Sequence, residues 1–169
     1  MKRILITSLL LLFIAQVNYA QVAMDKAQAN FIYNFTKFFD WPQAEKTGDF
    51  IIGVVGSRAL AGELEKVTAG KKNVTQNIVV KYFKNGDEVT KCQVVYVESF
   101  KSSALSSIHK KTGVHCLIIS NSLTAIEKGA VIQFITEDDR LKYAFSKQNA
   151  LNHGLKFHSK ISEMASKNY

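Results

Sequence analysis

The sequence predicts an α/β fold, a single-domain three-layer sandwich whose mostly parallel sheet carries an antiparallel hairpin at one edge. Short runs rich in β-branched residues alternate with helical patterns along the chain. These runs are apolar on both faces, which is typical of parallel strands covered by helices on two sides. Towards the C-terminal end, two runs flank an acidic tip, and one of them alternates apolar with polar residues, which favours a hairpin.

Residues 1–20 are predicted to be a signal peptide. A positively charged start precedes an apolar run over residues 4–15. The run is shorter than the roughly 20 residues that a helix needs to cross a bilayer. We therefore expect export to the periplasm, cleavage near Ala20, and one mature domain over residues 21–169.

The charge balance is basic, with 22 lysines and arginines against 14 acids and a formal net charge of +8. Removal of Lys2 and Arg3 with the signal peptide would leave +6 of that +8. Export removes nucleic acid as a partner, and the lysines are scattered instead of forming one dense block. We expect a solvated basic surface; the alternative is attraction to acidic lipid head groups or to an acidic partner domain.

The first element of the mature domain is predicted to be a helix over residues 24–39, ended by Pro42. Six aromatic residues fall within residues 31–41, the densest such cluster in the sequence. At helical spacing, one stripe of this helix carries Phe31, Phe35 and Phe38.

The elements that follow alternate between strands and helices. In chain order we predict a strand over residues 50–56, a helix carrying Leu60, Leu64 and Val67, strands over 78–82 and 94–97, a helix over 104–109 and a strand over 117–119. The hairpin is predicted to comprise residues 130–135 and 141–145, with a solvated acidic turn between them. A closing helix is predicted over residues 155–165.

No motif in the sequence specifies catalysis, a cofactor or a metal. Gly53 and Gly56 follow a strand with the spacing GxxG, where a dinucleotide loop needs GxGxxG. The four histidines form no HExxH pair and have no i, i+4 spacing, so we expect no metal site. We assign no catalytic residue, although a triad assembled from distant positions would leave no local motif.

A polar cleft, if the domain has one, is expected at the carboxyl ends of the parallel strands, where α/β sheets bind their ligands. The residues expected there are Gly56, Ser57, Arg58, Glu98, Ser99, Ser120 and Asn121.

Cys92 and Cys116 are the two cysteines of the chain, and each begins a predicted strand. An exported protein enters an oxidising compartment, where an even number of cysteines favours a bridge. If the two strands are parallel neighbours, the Cα atoms could lie about 5 Å apart, within bonding range. We predict a disulfide between them; the alternative is two buried free thiols.

Five segments, taken in order, resemble the YfiR family of periplasmic regulatory proteins. They are YNFTKFFDWP at 33–42, FIIGVVG at 50–56, CQVVYV at 92–97, GAVI at 129–132 and GLK at 154–156. The resemblance covers essentially the whole mature chain. The sequence departs from the family pattern at Ser146, where an Asn is usual, and at Cys116, where an aliphatic residue is more common.

The resemblance implies a periplasmic domain that, in the family's best-known case, represses an inner-membrane diguanylate cyclase by binding its periplasmic sensor domain. Release lets cyclic-di-GMP synthesis rise. A histidine kinase is the other type of membrane partner that the resemblance implies, and a homodimer is compatible with the sequence. We therefore expect a non-catalytic regulator without a cofactor; the alternatives are a small-ligand-binding sensor domain and, third, an enzyme.

The surface that binds this partner is predicted on the aromatic helix, because its aromatic residues extend beyond the single stripe that a sheet would bury. The residues expected to contact the partner are Phe31, Tyr33, Phe35, Lys37, Phe38 and Trp41. Aromatic side chains are common anchors of interfaces, and a lysine at the rim steers approach to an acidic surface. The alternative is that both stripes of the helix are buried in the core.

Overall fold

The structure, a computed structural model, describes residues 21–169, so the predicted signal peptide lies outside the described residues. The helices of the described part are residues 21–35 (α1), Arg58–Thr68 (α2), Leu105–Thr112 (α3), Lys147–Asn152 (α4) and Lys160–Glu163 (α5). Its strands are Phe39–Asp40 (β1), Phe50–Val55 (β2), Lys72–Asn73 (β3), Gln76–Phe83 (β4), Val94–Val97 (β5), Leu117–Ser120 (β6), Ile132–Glu137 (β7), Arg140–Phe145 (β8), Lys156–Phe157 (β9) and Lys167–Asn168 (β10).

Eight of these strands form one sheet in the order β10-β8-β7-β6-β5-β2-β4-β3. The five strands from β4 to β7 in this order are parallel to their neighbours. β7 and β8 form the antiparallel hairpin, from Ile132 opposite Phe145 to Glu137 opposite Arg140. The α/β fold with a mostly parallel sheet is confirmed, and the two-residue β10 adds one strand outside the hairpin.

Two hydrophobic clusters lie on opposite faces of this sheet, because successive side chains of a strand point to opposite sides. In β5, Val94 and Tyr96 pack with residues of α1 and α2, whereas Val95 and Val97 pack with residues of α3. All four β5 side chains are 0% exposed. The sheet is therefore covered on both sides, and the predicted three-layer sandwich is confirmed.

The first helix is shorter than predicted, because it ends at residue 35. Thr36 donates both its backbone N–H and its hydroxyl to the carbonyl oxygen of Tyr33, at 3.2 and 2.7 Å. Bonds to the third preceding residue tighten the last turn of a helix and end it. The chain then becomes extended, and Phe39 lies opposite Phe157 of β9.

The closing helix predicted over residues 155–165 is wrong, because this segment forms β9, α5 and β10. β9 pairs with β1 in a small antiparallel sheet, a contact that no local pattern reveals. Leu155 and Ile161 are buried all the same, at 2% and 0% exposure. The sequence also gave no prediction for α4, which Ser146 caps by accepting a hydrogen bond from the N–H of Asn149 at 3.2 Å.

Candidate functional site

A cleft of about 930 Å³ opens at the carboxyl ends of the parallel strands. Gly56 follows β2, Glu98 follows β5 and Asn121 follows β6, and all three line the cleft. α1 provides one wall with Asp25 and Gln28. The position of this polar cleft is the one predicted from the order of strands and helices.

Most of the polar residues expected at this end of the sheet take part. Those that line the cleft are Gly56, Ser57, Glu98 and Asn121. Arg58 turns away, and its guanidinium carbon lies 4.2 Å from the ring centroid of Tyr82. Ser120 is buried, and its hydroxyl accepts a hydrogen bond from the backbone N–H of Ser122 at 3.1 Å.

Glu98 is the centre of a hydrogen-bond network in the cleft. Tyr96 donates its hydroxyl to Oε2 at 3.0 Å, and Asn121 donates Nδ2 to Oε1 at 2.6 Å. The backbone N–H of Ser99 also donates to Oε1, at 3.2 Å. Burial, and then the charge of Glu98, raise the pKa of Tyr96, so its hydroxyl keeps its proton and donates. These bonds hold the Glu98 carboxylate in one orientation.

Asp25 is the second carboxylate of the cleft and is 4% exposed. Gln21 donates Nε2 to its Oδ1 at 3.2 Å. Burial raises the pKa of Asp25, the bond from Gln21 opposes that shift, and the charges of Glu98 and Glu63 add to it. Among the described residues, neither Asp25 nor Glu98 forms an ion pair.

Three side-chain amides complete the polar lining. Gln28 is 5% exposed, and its Oε1 lies 3.4 Å from the hydroxyl oxygen of Tyr96, whose proton is shared with the nearer Oε2 of Glu98 at 3.0 Å. Gln133, on β7, is 7% exposed, and its amide has no hydrogen-bond partner within residues 21–169. The Oδ1 atom of Asn121 is likewise buried without a partner in the described structure.

Gly56 allows close packing at the floor of the cleft. Its φ is +90°, a conformation that residues with a Cβ rarely adopt. A Cβ at this position would lie 3.0 Å from Cγ of Lys101 and 3.1 Å from Cβ of Glu98. The glycine therefore serves close packing around Glu98 at the end of β2.

Asp25, Gln28 and Gln133 were not predicted as residues of the cleft. One local signal was available, because Gln21, Asp25 and Gln28 follow the i, i+4, i+7 spacing of a single helical stripe. No comparable signal marks Gln133, since its place depends on the register that sets it opposite Ser120, the last residue of β6.

The predicted partner-binding set is divided by the structure. Phe35 and Trp41 are 1% and 3% exposed, so a partner cannot reach them. The ring of Phe35 lies 4.9 Å from that of Tyr143, and the ring of Trp41 lies 4.8 Å from that of Phe50. These two residues belong to the core, because the sheet and the C-terminal segments cover them.

Phe31 and Phe38 are half-buried and pack against the same core. Lys37 is exposed in the turn that follows α1, and Tyr33 is half-buried but belongs to neither the core nor the residues packed against it. The ammonium groups of Lys37 and Lys71 each lie 4.4 Å from the ring centroid of Tyr33. Such contacts stabilise by about 0.5–1 kcal/mol at exposed sites. We call Tyr33, Lys37 and Lys71 the basic face.

Residues 25–166 match the family described as YfiR/HmsC-like. The chain belongs to this family. The match spans the elements from α1 to α5 and includes Asp25, Glu98 and Asn121 of the cleft as well as the basic face. No curated protein matches the chain.

The YfiR/HmsC-like family is a family of periplasmic proteins, and membership in it suggests a regulator in cyclic-di-GMP signalling. The family is generally regulatory and not catalytic. Among residues 21–169, no helix has both the length and the apolar character that a membrane crossing requires.

In this YfiR/HmsC-like protein the two cysteines are free, buried thiols, so the structure does not contain the predicted disulfide. The parallel register pairs Val94 with Leu117. Cys116 is therefore level with Gln93, and Cys92 lies one position before Gln93. Cys92 instead points towards Gly53, where a Cβ would lie 3.1 Å from its Sγ. Burial raises the pKa of Cys92 to about 11 and also raises that of Cys116. Neither thiol therefore has the lowered pKa of a reactive cysteine.

Two of the four histidines pack together away from the cleft. The ring centroids of His109 and His153 lie 4.2 Å apart, and Nε2 of His153 lies 3.0 Å from the carbonyl oxygen of Gly129. Burial, and then the neighbouring His109, lower the pKa of His153. No group of three or more His, Cys, Asp or Glu side chains in the described part of the chain is placed to hold a metal ion.

Proposed function

We propose that this protein is a non-catalytic regulator that binds and represses the periplasmic sensor domain of an inner-membrane signalling protein, a diguanylate cyclase or a histidine kinase. Family membership supports the regulatory class. With a cyclase as partner, release of the sensor domain would let cyclic-di-GMP synthesis rise.

The observation that carries this proposal furthest is the basic face. It combines a half-buried aromatic ring with two ammonium groups 4.4 Å from its centroid. Aromatic rings anchor interfaces, and exposed lysines speed the approach to an acidic surface. Lys26 is exposed two helical turns before Tyr33 and extends the same charged side of α1.

A first experiment tests regulation in cells. Deletion of the gene should raise cellular cyclic-di-GMP if the partner is a cyclase, as measured by mass spectrometry of nucleotide extracts. A histidine kinase partner would instead show changed phosphorylation at constant cyclic-di-GMP. A deletion strain that changes neither readout would contradict the proposal.

A second experiment tests the surface. The double variant Tyr33→Ala/Lys37→Ala should bind the periplasmic domain of the partner at least about tenfold more weakly, a loss of ~1.4 kcal/mol. Its melting temperature should stay close to that of the parent protein, because neither side chain lies in the core. Binding is measured by titration calorimetry.

The matched control is Lys110→Ala, which removes an exposed lysine from α3 on the other side of the sheet. It should leave binding unchanged. Equal binding by the double variant and the parent protein would remove the basic face from the proposal, whereas equal weakening by Lys110→Ala would reduce the effect to net charge.

A further inference from the structure

The cleft at the carboxyl ends of the strands is acidic, although the protein as a whole is basic. Its charged lining consists of Asp25, Glu98, Glu137 and Lys167. Glu137 is already paired with Lys142, whose Nζ lies 2.7 Å from Oε2. The carboxylates that have no cation within the described structure are therefore Asp25 and Glu98.

Of these two carboxylates, Asp25 is the one that burial places unfavourably without a cation. It is 4% exposed, and its one side-chain hydrogen bond within the described residues comes from a neutral amide. Glu98 lies close enough for its charge to act on Asp25. Removal of carboxylates from water is costly unless an opposite charge accompanies them. A cation between Asp25 and Glu98 would meet this requirement.

The amides point to a ligand as a second, independent observation. Gln133 is 7% exposed, lines the cleft, and its side chain makes no hydrogen bond with a described residue. Oδ1 of Asn121 is a buried acceptor in the same state. Buried polar groups are nearly always hydrogen-bonded, so each unpaired one calls for an explanation. A polar ligand in the cleft would supply the missing bonds.

The size and the apolar part of the lining define the rest of the ligand. The volume of about 930 Å³ is within the range of small-molecule sites. Phe134 and Leu141 contribute apolar wall, and Phe100 and Leu123 extend the apolar lining although they are 70% and 87% exposed. Exposed apolar side chains beside a polar cleft are suited to cover the apolar part of a ligand.

We propose that this cleft binds a small organic cation, in which an ammonium or guanidinium group is carried on an apolar body. Asp25 and Glu98 hold the charge, and Asn121 orients the Glu98 carboxylate by donating Nδ2 to its Oε1. Gln133 holds a second polar group where the ligand has one. The cleft and the basic face share no residue. The regulator would therefore bind its ligand at one site and its partner at another.

Direct binding of matched probes tests the charge requirement. The probes are 2-phenylethylamine, 2-phenylethanol and 3-phenylpropionate, which are similar in shape and carry a positive, a neutral and a negative group. The full processed protein, isolated from the cells that express it, should bind the amine with a dissociation constant at or below about 1 mM, an ordinary value for so small a ligand. The alcohol should bind at least about tenfold more weakly, and the acid should show no binding.

Two conservative variants test the residues. Asp25→Asn and Glu98→Gln keep the size of each side chain and remove its charge, and each should weaken amine binding at least about tenfold. If Glu98→Gln disturbs the bonds from Tyr96 and Asn121, the test depends on Asp25→Asn alone. The matched control is Glu163→Gln on α5, an exposed acid outside the cleft, which should not change binding.

Equal binding of the amine and the alcohol, or amine binding that both variants retain, would overturn the proposal. So would the absence of amine binding up to about 10 mM. If the free amine fails and a lysine-containing peptide binds, the site takes a polypeptide and the small-molecule proposal is wrong. Retained partner binding by Asp25→Asn would leave the proposed regulatory function intact in any of these cases.

Discussion

The aromatic segment over residues 31–41 and the cleft at the strand ends differ in how visible they are in the sequence and in what they do. The aromatic segment is the densest feature of the sequence, yet Phe35, Phe39 and Trp41 are 6% exposed or less. The cleft is built from isolated polar residues on α1 and on the ends of β2, β5, β6 and β7.

In this fold, a dense cluster of aromatic residues in the sequence does not by itself indicate a functional site. Aromatic residues at helical spacing bury well against a sheet, so their clustering first of all indicates a core. Function is better indicated where a buried polar atom lacks a partner in the described structure, as at Oδ1 of Asn121, or where a carboxylate is buried there without an ion pair, as at Asp25. Four stability measurements distinguish the buried aromatic segment from the cleft.

The largest effect is expected from Phe35→Ala, which should lower the free energy of unfolding by about 3–5 kcal/mol, because it removes a buried ring and leaves a cavity. Chemical denaturation measures the change. The matched control is Phe100→Ala in the cleft, where a side chain 70% exposed should cost no more than about 0.5 kcal/mol. Similar losses in the two variants would end the distinction between a structural and a functional aromatic residue.

The opposite sign is expected from Gln133→Leu, which should raise the free energy of unfolding by roughly 1 kcal/mol, because the side chain is 7% exposed and makes no hydrogen bond with a described residue, so that leucine gains apolar burial without the loss of such a bond. The exposed Gln148→Leu on α4 is the control and should be close to neutral. A clear loss of stability in Gln133→Leu would mean that the amide is satisfied, and the cleft would lose one of its functional indicators.

A smaller, pH-dependent effect is expected from Asp25. Its pKa is raised in the folded protein, chiefly by burial, so the folded state holds this proton more tightly than the unfolded state. The stabilising effect is fully present below the unfolded pKa of 3.8 and is lost as pH rises through the raised folded pKa.

Asp25→Asn removes this dependence. The stability of the variant relative to the parent protein should therefore increase from pH 4 upwards and become constant above the folded pKa, as followed by thermal unfolding at each pH. A difference that does not vary with pH would show that Asp25 ionises in the folded protein as freely as in the unfolded one.

No effect on stability is expected from a reducing agent, because both cysteines are free thiols. A bridge would close a loop of about 25 residues and contribute roughly 3.5 kcal/mol on the chain-entropy model, which a reductant would remove. Alkylation of the unreduced protein should find no reactive thiol when it is folded and two when it is unfolded, since burial raises both pKa values. If no thiol reacts after unfolding, the protein contains the Cys92–Cys116 disulfide.

The sequence predicted the central strands well because their patterns are local. β5 is Val94–Val97, as expected, and β2 and β6 differ from their predicted bounds by one residue. Runs that are apolar on both faces have few other stable arrangements in a domain of this size. The end of the sheet at which the cleft lies was predicted from the order of strands and helices alone, because ligands bind at the carboxyl ends of parallel strands.

The parts that were not predicted depend on contacts between distant positions. Shortly after the end of α1, Phe39 pairs with Phe157, and this pairing makes residues 156–157 a strand where a closing helix was predicted. Tyr33 and Phe35 have similar patterns in the sequence, but only Phe35 faces Tyr143. Phe35 is buried and Tyr33 is half-buried because of residues that are distant in the sequence, and the local pattern does not reveal these contacts.

The pairing of β1 with β9 also constrains the order of folding events. Its strands come from opposite ends of the described chain, and the N–H of His158 adds a bond to the carbonyl oxygen of Phe38 at 2.8 Å. In a chain delivered across a membrane with its N-terminal end first, β1 waits without a partner until β9 arrives. Contacts of such long sequence separation form slowly. In such a chain, the segment between the end of α1 and β1 would be fixed only after β9 has arrived.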